Sequence, residues 1–140
     1  MKHVFIDTDV ILDFFFDRQP FSDAAASVLS LCETEQIKGY VTPVILSNVY
    51  YLLRQNARHQ IVLDKIRDLL SILELANISR KVMLQAIHSN FKDFEDALQN
   101  YAAKENGQIE IILTRNHKDF KNSKLSVMSP EQYLKGFHSK

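Results

Sequence analysis

Five short apolar runs recur along the chain, separated by segments with helical spacing, and this alternation restricts the fold more than any other feature. The runs are His3 to Ile6, Tyr40 and Val41, Leu73 to Ile78, Ile109 to Leu113 and Leu125 to Met128. Between them, Ser22 to Glu35 carries Ala25, Val28, Leu29 and Cys32 at helical intervals, with Ser22 as the expected N-cap. Thr42-Pro43 is a helix start, a capping hydroxyl followed by a proline at the first helical position, and Ile45, Val49, Leu52 and Leu53 continue the pattern. Residues 61–72, 79–90 and 93–105 read as further helices, the last ended by Asn106-Gly107, and a final helix starts at Ser129-Pro130. Strands alternating with helices, without hairpin signals between them, predict an α/β domain with a parallel sheet covered by helices on both faces. No linker, repeat or low-complexity stretch divides residues 1–140, so one domain is expected.

In such sheets ligands bind beyond the carboxyl ends of the strands. Asp7 stands there after the first run, and Thr114, Arg115, Asn116 and Asp119 follow the fourth. A carboxylate directly behind a buried strand is costly unless a cation neutralises it, and a hard divalent ion such as Mg²⁺ or Mn²⁺ takes oxygen ligands and keeps several waters. Asp9 suits either that role or a bond within the loop, whereas Asp13 and Asp17 read as solvated helix-surface acids. On the helix over 93–105, steps of ~100° gather Phe94, Ala97, Leu98, Tyr101 and Ala102 on a core face. The same wheel puts Asp93, Asp96 and Asn100 on one flank and Glu95 and Gln99 on the other. Asp96, inside the helix and beside the apolar face, is the stronger site candidate, because Asp93 also fits a helix N-terminal role.

Net charge is zero, but its distribution is uneven: the blocks 1–35, 36–92, 93–110 and 111–140 read −5, +5, −4 and +4. Acid is thus concentrated in two separated segments, those that hold Asp7 and Asp96. The single cysteine, Cys32, rules out an internal disulfide framework, and Asp7, Asp9 and Asp13 interrupt what would be the apolar centre of a leader. A cytoplasmic protein with no membrane segment is expected.

The stretches FIDTDVILDFFFDRQPF (5–21), TPVILSNVYYLLR (42–54), KDFEDALQNYAA (92–103) and IILTRNHKDF (111–120) resemble, in order and spacing, the successive motifs of PIN-domain proteins, the superfamily that includes VapC-type toxins. The resemblance spans essentially the whole chain. It implies a three-layer α/β/α fold with a central parallel sheet of four or five strands, divalent metal bound by clustered acids, and hydrolysis of single-stranded RNA. It makes Asp7 the first acid and Asp96 the third, both metal ligands, with Asp93 as an accessory ligand and Asn116 and Asp119 in the fourth motif. Where the common pattern has a glutamate on the second-motif helix, this chain has Asn48, as in a subgroup of these proteins; Asn48 would serve as a neutral ligand or water-orienting amide pointing toward Asp7. Thr114 and Asn116 would position water or phosphate, and Arg115, Lys118, Lys121 and Lys124 would hold the RNA backbone. Tyr50, Tyr51 and Phe120 could stack bases, but at helical spacing they are expected in the core. The resemblance to toxins also implies a cognate antitoxin and a homodimer. Two alternatives stand beside this reading: a PIN fold that binds RNA or protein without cleaving it, motivated by Asn48, and a haloacid-dehalogenase-type phosphatase, motivated by the paired aspartates of IDTDV.

Overall fold

A computed structural model describes residues 1–138; positions 139 and 140 lie outside the described residues. Strand β1 (Lys2–Ile6) is followed by α1 (Thr8–Phe15) and α2 (Ser22–Glu33), then by β2 (Ile37–Val41), α3 (Pro43–Arg54) and α4 (His59–Ile72). Next come β3 (Leu73–Leu75), α5 (Arg80–Ile87), α6 (Phe94–Asn106), β4 (Ile111–Leu113), a 3-10 turn (His117–Phe120), β5 (Ser126–Met128) and α7 (Pro130–His138). All five strands pair in parallel, in the order β3-β2-β1-β4-β5.

Burial explains the runs. Val4, Phe5 and Ile6 of β1 are fully buried, as are Ile112 and Leu113 of β4, because central parallel strands are covered on both faces. From β1 the chain steps through β2 to β3 on one side and returns to β4 and β5 on the other. With right-handed crossovers the two halves must carry their helices on opposite faces. Accordingly α1 to α4 pack among themselves with α7 against α2, while α5 packs on α6, giving the three layers. The order reverses between β1 and β4, and the crevice at such a switch point is where a site is expected. The residues that leave the strands there, Asp7, Thr42 and Thr114, are all polar and all buried.

Caps set several helix starts. Thr42 accepts from the Ile45 amide at 3.2 Å ahead of Pro43, Ser79 caps α5, and Gly107, at φ 80°, closes α6 in the left-handed region. Ser22 differs from expectation. Residue 21 occupies the cap position of α2 and Ser22 lies within the helix, its hydroxyl donating to Asp17 Oδ1 at 2.7 Å. Phe94, at the first position of α6, also departs from the core face and is 47% exposed.

Candidate active site

Asp7 is both the end of β1 and the N-cap of α1. Its Oδ1 accepts from the Thr8 amide at 2.8 Å and its Oδ2 from the Thr114 hydroxyl at 2.9 Å, so β4 holds the carboxylate that β1 delivers. The same hydroxyl lies 3.3 Å from Asp9 Oδ2, which also accepts from the Arg115 amide at 3.0 Å. Asp9 Oδ1 is buried and has no hydrogen-bond partner among the described residues. Burial, with the charge of Asp9 second, pushes the Asp7 carboxyl up to about 7; burial likewise raises Asp9.

From the opposite side, α6 presents Asp96. Its carboxyl is also pushed up to about 7, first by burial and then by the charges of Asp93, Asp7, Asp119 and Glu95. A cleft of about 480 Å³ lies between the two aspartates, lined on one side by Asp7, Thr8, Asp9 and Leu12 and on the other by Glu95, Asp96 and Gln99. Asn48, Tyr51 and Leu52 of α3, together with Arg18 and Asn116, complete its wall. Two further contacts brace it: the Thr42 hydroxyl donates to Gln99 Oε1 at 2.7 Å, and Asn48 Nδ2 donates to Glu95 Oε1 at 2.5 Å. A larger groove of about 620 Å³ runs between α1, α2 and α4, but Phe14, Phe15, Leu29, Leu69 and Ile72 dominate its wall, and its acids, Glu33 and Asp68, are not at strand ends.

The sequence of residues 3–118 matches a family profile described as the PIN domain, more than four-fifths of the chain. The chain belongs to the PIN-domain family. It is 26% identical over 143 residues to Ribonuclease VapC1 of Aquifex aeolicus, an alignment that covers 99% of this chain and 97% of that protein. Among solved structures, the fold is similar to that of a toxin-antitoxin complex from Klebsiella pneumoniae, with TM-score 0.69 and 22% identity over 91% of this chain and 97% of the other. It is also similar to VapBC2 from Rickettsia felis bound to a DNA fragment from its promoter, with TM-score 0.63 and 14% identity over 91% and 97% of the two chains. The five-stranded parallel sheet between helical layers is the architecture these PIN structures share with it. The match gives no support to the phosphatase alternative.

The PIN domain brings together Asp7, Asp96, Thr114, Asn48 and Asn116 as the motifs suggest, with Asp119 near enough to raise both Asp7 and Asp96. Other assignments change. Asp93 is the N-cap of α6, accepting from the Asp96 amide at 3.0 Å; it is exposed and reaches the cleft only through its charge on Asp96. The two flanks of α6 do not separate as the wheel has them: Glu95 and Gln99 face the cleft beside Asp96, while Asn100 is buried with its Oδ1 unpartnered among the described residues. Asn48 lines the same cleft as Asp7, with its amide nitrogen engaged by Glu95.

Asp13 is no surface acid. It is 1% exposed and receives Arg115 in a fork, Nε to Oδ2 at 2.6 Å and Nη2 to Oδ1 at 3.0 Å, with Arg18 at 3.6 Å. Arg115, expected on the RNA backbone, is therefore committed inside the protein, and its guanidinium also lies 4.1 Å from the centre of the Phe21 ring. Lys118, Lys121 and Lys124 are exposed, as a backbone role requires. Phe120 is in the core, whereas Tyr51 is 68% exposed on the cleft wall. Glu95, Gln99, Arg18 and the Asp13–Arg115 pair were missed from sequence. The one available signal was the i, i+4 spacing of Asp9 and Asp13, which puts both on one face of α1.

The donors present fit a hard divalent ion. Buried Asp7 and half-buried Asp96 repel each other across the cleft, and both arginines of this region, Arg18 and Arg115, are paired with Asp13. Among the described residues no three His, Cys, Asp or Glu side chains converge as a ready-made cage. One or two carboxylates completed by water is the way Mg²⁺ is commonly held.

Proposed function

We propose that this chain, acting as a single PIN domain over residues 1–140, is a Mg²⁺- or Mn²⁺-dependent endoribonuclease that cleaves single-stranded RNA and is the toxin of a toxin-antitoxin pair. The observation that carries the reading is the facing pair Asp7 and Asp96, both pushed up to about 7 across one open cleft. The full-length similarity to Ribonuclease VapC1 supports the nuclease assignment. A divalent ion bound there would supply an activated water and stabilise charge on the phosphoryl oxygens.

The protein's own groups have separate tasks in this scheme. Asp7 and Asp96 are the metal ligands, and Asp93 and Asp119 contribute charge at the margin. Thr114 fixes the Asp7 carboxylate by its hydroxyl, and Asn48 orients Glu95, which adds the acid that the second motif lacks. In this arrangement asparagine at 48 is compatible with activity, as expected of the subgroup that carries it. Asn116 faces the scissile phosphate from the cleft wall, and Lys118 and Lys121 take neighbouring phosphates from the exposed 3-10 turn. Tyr51 offers an exposed ring on which an unpaired base can stack, which favours a single strand over a duplex.

Solved relatives described as toxin-antitoxin and VapBC complexes support a small antitoxin partner, and we extend the proposal to a homodimer. No helix among the described residues is long and apolar enough to cross a membrane, in keeping with a cytoplasmic location. The test is Asp7→Asn and Asp96→Asn, each of which deletes a charge and keeps the volume. Both should abolish most cleavage of a single-stranded RNA while retaining the fold, and both should weaken Mn²⁺ binding by calorimetry. Unchanged Mn²⁺ affinity in both would remove the site, and equal rates on a hairpin's stem and loop would contradict the single-strand preference.

A further inference from the structure

Arg115 touches α1 at two successive turns. Its backbone N–H donates to Asp9 Oδ2 at 3.0 Å, and its guanidinium forks onto Asp13, one turn further along the same helix face. The residue before it, Thr114, holds Asp7, the N-cap of that helix. Three consecutive helix-side acids, Asp7, Asp9 and Asp13, are thus gripped by two consecutive residues that leave β4. Helix α1 cannot slide or rotate against β4 without breaking the fork. A pair with Asp13 1% exposed and the arginine side chain 26% exposed is shielded from the screening that weakens surface ion pairs.

The fork also directs charge. The Arg115 guanidinium is held on Asp13 and over the Phe21 ring, 4.1 Å from its centre, and its charge acts on Asp9 from there. Only its main chain makes a hydrogen bond to the Asp9 carboxylate. From this geometry we propose that Asp13 and Arg115 are positioning residues: their fork registers α1 on β4 so that Thr114 and the Arg115 amide hold the Asp7 and Asp9 carboxylates in place. The inference rests on the nuclease reading only for its consequence on metal binding; the positioning itself is a property of the metal-free chain.

The variants that test it are Arg115→Met and Asp13→Asn, each breaking the fork, the first leaving Asp13 with Arg18 alone at 3.6 Å, and the double Asp13→Leu/Arg115→Met, in which both members of the fork become apolar. Replacing both members of a buried pair by apolar groups commonly restores stability. The double variant should therefore melt close to the wild type while its site stays loosened. Two readouts a merely structural pair would not move are expected to change in it. In metal-free protein, the amide at position 115 should exchange at least about ten-fold faster, since protection reports local opening. The Mn²⁺ dissociation constant should rise about ten-fold, the usual cost of losing an outer-shell support. With Arg115→Met at saturating Mn²⁺, KM for single-stranded RNA should remain within about two-fold of wild type, because the side chain makes no RNA contact.

Wild-type amide protection and Mn²⁺ affinity in a stable double variant would overturn the proposal. So would a KM raised at unchanged kcat and unchanged Mn²⁺ affinity, which would return Arg115 to the RNA backbone. If Asp7→Asn leaves Mn²⁺ binding unaltered, the metal-site reading fails, and the amide exchange alone still decides whether the fork positions α1.

Discussion

Asn48 and Glu95 share one hydrogen bond across the wall of the cleft, and that bond determines what a carboxylate at position 48 would do. An amide there donates to Glu95; a carboxylate would face it with like charge and no proton to share. Asn48→Glu should therefore lower the melting temperature of metal-free protein, by about 1 kcal/mol or roughly 3–5 °C for a chain of this size. A divalent ion between the two acids would reverse the repulsion, so the rise in melting temperature on adding Mn²⁺ should exceed that of wild type, with cleavage retained. Thermal melts in chelator and in Mn²⁺ decide it. An Mn²⁺-induced rise no larger than wild type's would show that Asn48 stands outside the metal's reach. The reciprocal exchange, Asn48→Glu with Glu95→Gln, should recover the metal-free melting temperature, because one acid and one amide again face each other.

At the scale of elements, Gly39, at the middle of β2, marks a close approach between sheet and helix. A methyl group there would meet Cys32 Sγ at 2.6 Å, Leu73 Cδ2 at 2.8 Å and Ile6 Cδ1 at 3.0 Å. Those atoms belong to α2, β3 and β1, so Gly39 is where the helix closes down onto the sheet. Gly39→Ala should cost about 1–3 kcal/mol, the usual penalty for overpacking a filled core. Urea unfolding would show it as a lower midpoint at unchanged slope. Since β1 ends on Asp7, a displaced β1 would also shift the first acid, and Mn²⁺ affinity should fall along with stability. A midpoint equal to the wild type's would mean that α2 is not seated on β2 as closely as the structure has it.

For the whole molecule, the two raised carboxyls make metal-free stability depend on pH in an uncommon direction. Asp7 and Asp96 ionise near 4 in the unfolded chain and at about 7 in the fold. Between these values the folded state holds protons that the unfolded state has released, so their contribution to stability falls as pH rises from about 4 to about 7 and is fully lost above that. In chelator, wild type should lose melting temperature between pH 5 and pH 7.5 relative to the Asp7→Asn/Asp96→Asn double variant. Mn²⁺ should remove most of the difference by neutralising the pair. Parallel pH profiles for the two proteins would show that the aspartates are not desolvated in solution.

Much of the fold was legible because its signals are local. Buried parallel strands are short continuous apolar runs, Thr42-Pro43 and Asn106-Gly107 punctuate helices through their own backbone preferences, and the order of elements then dictates a parallel sheet. The same locality placed Asp7 and Thr114 at strand ends, and helical geometry drew Asp96 out of its segment. The rest depended on contacts between residues distant in sequence. Glu95 lies 47 residues from Asn48, and Arg115 lies 102 from Asp13. Nothing in a helical wheel says which flank of α6 turns toward the strand ends, so Glu95 and Gln99 were not foreseen beside Asp96 in the cleft. Asp13 looked like a solvated acid because a buried carboxylate is tolerable only with a partner, and its partner arrives from the far end of β4. The residue types at the strand ends were determined by sequence; which side chains face one another across the cleft was decided only when the sheet order brought β1 beside β4.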